Sequence, residues 1–162
     1  MTEEEDSPAE AVEELLEEVV RALGLDATVE VSEDDDTVTG TVHGEDLGLF
    51  IGRHGQTIDA VQHLAQRMAG ARRTDGRRIV IDAEGYRDRR EAMLQRQADT
   101  AVADALRYER PVALDAMTAS ERRLVHEYLR DNDDVETYSE GDEPPLGIGQ
   151  HGPGSVTPRR KT

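Results

Sequence analysis

The stretch Leu49-Phe50-Ile51-Gly52-Arg53-His54-Gly55-Gln56-Thr57-Ile58 sets two glycines around an arginine and a histidine. An apolar segment leads in. Behind it Ile58, Val61, Leu64, Ala65 and Met68 recur at steps of three and four, the period of an amphipathic helix, while Asp59, Gln62, Gln66 and Arg67 fill the opposite face. The pattern predicts a helix over about 45–51, a tight loop, and a second helix over about 56–70. Glycine reaches positive φ and lets another backbone approach closely. The N–H groups that open the second helix have no intrahelical acceptors, so they suit an anion. Arg53 and His54 at the tip add donors and charge, which makes the loop a candidate seat for a sugar-phosphate chain.

Upstream, Ser7-Pro8-Ala9-Glu10 reads as a capping box with proline at the first helical position. Val12, Leu15, Leu16, Val19 and Leu23 then form one apolar stripe up to Gly24, so a helix is predicted over about 8–23. Val29 and Val31 alternate in a strand over 28–32, the acidic Glu33–Asp36 forms a turn, and Val38 and Val42 alternate in a second strand over 37–43, antiparallel to the first. Downstream, Asp75-Gly76 is a turn signal, and Ile79-Val80-Ile81 a compact third strand. A long helix follows over about 87–108, with Met93, Leu94, Ala98, Ala101, Val102, Ala105 and Leu106 as its stripe. Arg87, Arg89, Arg90 and Arg96 crowd its start, against the helix dipole, so they are held by carboxylates such as Asp88 and Glu91 or wait for phosphates. Residues 111–117 alternate as a strand. Thr118-Ala119-Ser120-Glu121 is a second capping box, opening a helix to about Leu129, and 135–141 reads as a following strand and turn. On the helix between them Arg122 and His126 are four apart and therefore neighbours, a planar cation beside a hydrogen-bonding ring.

Ile51-Gly52-Arg53-His54-Gly55-x-x-Ile58 resembles the I-G-x-x-G loop of KH domains, which clamps about four nucleotides of single-stranded nucleic acid by their backbone. The order α-β-β-α-α-β over residues 8–84 is similar to the type II KH arrangement. Arg122-x-x-x-His126, within Glu121-Arg-Arg-Leu-Val-His-Glu-Tyr-Leu129, resembles the signature of the R-three-H domain, a family that binds single-stranded nucleic acid through this pair. A KH unit followed by an R-three-H unit is the layout of the bacterial Jag (KhpB) proteins, and Glu84-Gly-Tyr-Arg-Asp-Arg-Arg90 and Asp134-Val-Glu-Thr-Tyr-Ser-Glu-Gly141 agree with it. The expected fold is therefore α+β: a type II-like KH domain over 8–85, then a small α/β R-three-H domain over 86–149 that includes the long helix. Residues 1–7 are expected to be a disordered acidic terminus and 150–162 a flexible tail. Pro144-Pro-Leu-Gly-Ile-Gly149 stands where the last strand of the second domain is expected, and the extra N-terminal domain of many relatives is not expected here.

The resemblance implies single-stranded RNA as ligand, with Ile51, Gly52, Arg53, His54, Gly55 and Ile58 at one site and Arg122 and His126 at another. Ile79 and Ile81 would help Ile51 and Ile58 wall a groove for the bases. It also implies regulation of cell-envelope growth or division after transcription, and a small single-KH protein as heterodimer partner. The other reading that the residues allow is an acidic protein-interaction adaptor.

Charge bears on both readings. The net charge of −17 is unevenly spread: residues 1–51 hold 17 acids and one base, whereas 52–130 hold 15 arginines and 12 acids. A basic island thus begins at the glycine loop, although net charge speaks to solubility and association rather than fold. The five aromatic residues (Phe50, Tyr86, Tyr108, Tyr128, Tyr138) are too few for the base-stacking platforms of an RRM or OB fold. With Lys161 as the only lysine there is no P-loop. There is no G-x-G-x-x-G set directly after a strand, and no G-x-S-x-G or H-E-x-x-H. No catalytic residue, metal site or cofactor is expected. The lack of cysteine fits a reducing cytoplasm, and no apolar run is long enough for membrane insertion.

Overall fold

The structure is a computed structural model that describes residues 7–72, 76–139 and 154–159. The chain divides into two compact units between Arg87 and Asp88.

The first unit opens with α1 (Pro8–Ala22), capped as its sequence demands: Ser7 Oγ accepts from Glu10 N–H and the Glu10 carboxylate accepts from Ser7 N–H. β1 (Ala27–Glu33) and β2 (Thr37–Gly44) pair antiparallel, with Val29 opposite Val42 and Val31 opposite Gly40. In the turn between them Asp34 Oδ1 accepts from the N–H groups of Asp36 and Thr37. α2 is only Gly48–Ile51, a single turn, shorter than the predicted 45–51. A 3-10 turn (Arg53–Gly55) leads into α3 (Gln56–Arg72). β3 (Arg78–Ala83) returns parallel to β2, giving the sheet order β1-β2-β3.

Strand pleating sorts these side chains. Val38, Gly40, Val42, Ile79, Ile81 and Ala83 face one side of the sheet and are buried. Val12, Leu16 and Val20 of α1 and Ile58, Val61 and Ala65 of α3 close over them in one core. Gly40 is a packing requirement: a Cβ there would stand 2.5 Å from Leu16 Cδ1 and 2.8 Å from Val12 Cγ1. Overpacking a filled core costs about 1–3 kcal/mol, partly offset by the roughly 0.5–1 kcal/mol that alanine gains over glycine in a strand. Gly40→Ala should therefore lower the stability of this unit by about 1 kcal/mol, read as a lower urea midpoint with unchanged slope.

β3 is an edge strand whose outward polar groups are met by side chains. Ile81 N–H donates to Gln62 Oε1 (3.0 Å) and Ile81 C=O accepts from Arg87 Nε (2.9 Å). An edge satisfied in this way offers little to a foreign strand.

The second unit is built on α4 (Tyr86–Tyr108), a helix that begins in the first unit. Leu94, Ala98, Ala101 and Ala105 form its buried stripe and meet Met117, Val125, Leu129, Val135 and Val156. β4 is Val112–Ala113 alone, so the predicted strand over 111–117 shrinks to two residues. α5 (Ala119–Tyr128) carries the predicted capping box, made by Thr118 and Glu121. β5 is Val135–Ser139.

The sheet is completed by β6 (Gly154–Pro158), which pairs antiparallel with both β4 and β5 in the order β4-β6-β5. This corrects the expected tail over 150–162: residues 154–158 form the central strand, and Val156 is fully buried. Arg159 fastens its end, donating from its backbone N–H to Asp134 C=O and from Nε to Val135 C=O. Of the terminus over 1–7 expected to be disordered, Ser7 is the N-cap of α1; residues 1–6, and Pro144–Gly149 where the last strand is expected, lie outside the described residues. No helix among the described residues is long and apolar enough to cross a membrane.

Candidate nucleic-acid interface

At the glycine loop α2 ends on Gly52, whose N–H donates to Gly48 C=O (2.8 Å). The chain then bends through positive φ at Gly52 (73°), His54 (54°) and Gly55 (77°). Gly55 N–H closes the bend on Gly52 C=O at 3.2 Å. Both glycines are obligatory. A Cβ on Gly52 would lie 2.2 Å from Thr57 Oγ1 and 2.8 Å from Thr57 N, and one on Gly55 would lie 2.7 Å from the Tyr86 hydroxyl oxygen. His54 holds a left-handed conformation that costs a non-glycine residue on the order of 1 kcal/mol. Such strain persists only where the surroundings fix it, and it clusters at ligand clamps.

The bend delivers Arg53, exposed, and His54, half-buried, to the N-terminal end of α3. That end also carries Asp59, which would repel a phosphate. Arg87 answers it: its Nη1 reaches Asp59 Oδ1 at 2.8 Å, while Nη2 donates to Gln62 Oε1 at 2.9 Å. The acid of the first helical turn is thus offset beside the loop, which leaves the local balance to Arg53 and the helix dipole.

The other expected residues of this site divide. Ile51 is half-buried beside the loop. Ile58 is fully buried, as is Ile81, and Ile79 is 3% exposed. These three therefore belong to the core and cannot wall an open groove as their side chains stand; they fix the backbone from beneath. Tyr86, missed as a site residue, packs its ring against Gly55 and joins the core. Its only sequence signal is an aromatic residue next to a glycine at the start of a helix.

In the second unit Arg122 and His126 come together as their spacing requires, in a recess shared with Thr137, Ser139 and Ser155. Arg122 Nη1 donates to Met117 C=O (2.9 Å), which fixes a half-buried guanidinium. His126 is exposed, and its Nδ1 shares a hydrogen with Thr137 Oγ1. That contact orients the ring and leaves Nε2 as the nitrogen for a ligand. Glu121 anchors the start of α5. Its Oε1 accepts from Arg90 Nε (2.7 Å) and its Oε2 from Thr118 N–H (2.9 Å). Two of the arginines at the head of α4 thus reach distant acids, Arg87 pairing with Asp59 and Arg90 with Glu121.

Comparison with known proteins follows the same division. The family model of the KhpA/KhpB KH domain matches residues 9–82, and that of the R-three-H domain matches residues 92–145. The RNA-binding protein KhpB of Clostridium symbiosum is 35% identical over 133 residues, covering 81% of this chain and 60% of that protein. The RNA-binding protein KhpB of Lactiplantibacillus plantarum is 36% identical over 126 residues, 78% of this chain and 39% of that protein. That of Bacillus subtilis is 29% identical over 137 residues, 83% of this chain and 66% of that protein. The chain therefore spans less than two thirds of the length of these relatives. With a KhpA/KhpB-type KH domain followed by an R-three-H domain, the chain belongs to the KhpB family.

Proposed function

We propose that this chain binds single-stranded RNA through its sugar-phosphate backbone at two places, the Gly52–Gly55 bend and the Arg122–His126 pair. The observation that carries the reading is the bend itself. Two glycines that admit no Cβ and a strained His54 hold Arg53 at the opening of α3, where backbone N–H groups and the helix dipole favour an anion. Ile51 is the aliphatic residue that borders the ligand there, and Ile58 supports the bend from below. The relatives' name, RNA-binding protein KhpB, favours RNA over DNA as the ligand, and neither domain family is enzymatic. On the resemblance to that family we also propose a cytoplasmic regulator acting after transcription on cell-envelope growth or division, paired with a small single-KH protein.

Two weak sites on one chain gain affinity through effective concentration, without new contacts. Phosphate contacts also make affinity depend on salt, with a slope near −0.7 per neutralised phosphate for single strands. Two arginine contacts give a slope of about −1.4, so affinity for a fluorescein-labelled single-stranded RNA should fall about 7-fold between 50 and 200 mM salt. Fluorescence anisotropy reads this directly. Binding that ignores salt, or that is equal for duplex and single strand, would contradict the proposal.

A further inference from the structure

We propose that the end of α4 carries a third contact for single-stranded RNA, a seat on which one nucleobase stacks against Tyr108 between Arg107 and Arg110. The inference rests on the RNA-binding reading above but concerns residues outside both sites.

Three tyrosine rings of the second unit are exposed: Tyr108 (53%), Tyr128 (43%) and Tyr138 (54%). Two of them are tied to acids. The Tyr128 hydroxyl donates to Asp99 and the Tyr138 hydroxyl to Glu136, so a phosphate arriving beside either ring meets a carboxylate. Tyr108 has the opposite surroundings. The guanidinium carbon of Arg107 lies 5.4 Å from its ring centroid and that of Arg110 lies 5.5 Å from it.

The backbone builds this arrangement. Glu109 takes a left-handed φ of 50°, and Arg110 N–H returns to Ala105 C=O at 3.3 Å. This is the closure of a helix C-terminus in which the second residue past the end folds back over the last turn. Glycine is the usual occupant of the left-handed position, and Glu109 bears the strain instead. The residue folded back is ordinarily apolar and packs on the helix; here it is Arg110, laid on an exposed ring.

Aromatic rings accept any base, because every base has a π-face, and arginine adds cation–π attraction. A base that takes one face of Tyr108 displaces a guanidinium onto the phosphate beside it, so both partners of the present contact are reused. Asp104 and Glu109 are the acids near this turn in sequence, and they limit the seat to one nucleotide rather than a track.

The test uses the full chain with a fluorescein-labelled twelve-nucleotide oligoadenylate and with an abasic ribose-phosphate strand of the same length. Tyr108→Ala should weaken binding of the oligoadenylate about tenfold and leave binding of the abasic strand unchanged. Tyr108→Phe should bind both as the parent does, since the ring is the seat. Equal binding of oligoadenylate by Tyr108→Ala and the parent would overturn the proposal. So would an equal loss on both strands, which would make the effect one of charge or fold. Substituting aspartate for Arg53 and His54 in parallel keeps the two claims apart. If that change is silent while Tyr108→Ala weakens binding, the loop reading falls and the seat stands. The reverse pattern removes the seat alone. A parent chain that binds neither strand removes both.

Discussion

Replacing Arg53 and His54 together by aspartate should weaken single-stranded RNA binding at least about 100-fold, roughly 2.7 kcal/mol, without loosening the fold. The magnitude follows from charge. The change removes one fixed cation and one donor ring and puts two carboxylates where phosphate would lie. A pair of unit charges 4 Å apart interacts by about 1 kcal/mol in bulk water and about 4 kcal/mol near a protein surface, so turning an attraction into a repulsion reaches the stated loss readily. The fold should survive because the backbone tolerates the substitution. Arg53 is exposed, and aspartate is among the few residues that enter the left-handed region His54 occupies. Gly52→Ala would be a poorer experiment: its Cβ collides with the Thr57 side chain and backbone, so lost binding could not be separated from a lost loop. Anisotropy measures the affinity, and thermal melting followed by circular dichroism checks the fold. A double variant that binds within about threefold of the parent (roughly 0.7 kcal/mol), with its melt unchanged, would take the phosphate grip away from this loop. It would also move weight to the adaptor reading.

The same loop shows what the sequence exposes and what it hides. The Gly52–Gly55 bend and both capping boxes are legible because their requirements are local: positive φ, an acceptor three residues from a donor, an apolar stripe at helical period. Arg122 and His126 are legible for the same reason. Ile58 is not. An apolar residue beside a loop looks alike whether it lines a groove or seals a core, and only the closure of α1 and α3 over the sheet decides. β6 is hidden by its brevity. Gly154-Ser-Val-Thr-Pro158 offers one strongly apolar side chain, Val156, between residues that usually mark turns, and its partners β4 and β5 are remote in sequence. The arginines at the head of α4 stand out in the sequence as a problem for the dipole. The carboxylates that meet Arg87 and Arg90, Asp59 and Glu121, come from other helices and so leave no local mark.

Glu121→Ala should unfold much of the second unit at temperatures where the parent is intact. Two roles converge on this side chain, and the residue's backbone N–H serves a third. It is 13% exposed and pairs with Arg90, itself 11% exposed, at 2.7 Å. It accepts from Thr118 N–H, and its own N–H donates to Thr118 Oγ1 at 3.2 Å. Removing one partner of a largely buried ion pair costs up to about 3–5 kcal/mol when the other charge is left uncompensated; Arg90 keeps further contacts, so the loss here is smaller, on the order of 1–3 kcal/mol. Loss of the Thr118 N–H acceptor adds about 1 kcal/mol, while the other half of the capping box, Glu121 N–H to Thr118 Oγ1, remains. Against a total stability of about 5–15 kcal/mol for a natural domain, the sum of the two losses is a large fraction of what holds the unit together. Glu121→Gln separates them. Its amide oxygen can still serve one donor, but the charge is gone, so its melt should fall between those of the parent and the alanine variant. The consequence reaches function through position. Glu121 fixes the first turn of α5, and the next residue is Arg122, whose guanidinium is registered against Met117 C=O. A frayed first turn releases that registration while the Gly52–Gly55 bend, in the other unit, is untouched. RNA affinity should therefore drop by the share the second site contributes and no further, and Glu121→Ala combined with the aspartate substitutions at 53 and 54 should leave no measurable binding. A melt for Glu121→Ala within about 2 °C of the parent, on the order of 0.5 kcal/mol for a unit this size, would mean that the Arg90–Glu121 contact contributes nothing net. In that case the placement of Arg122 would have to be credited to Met117 and Thr118 alone.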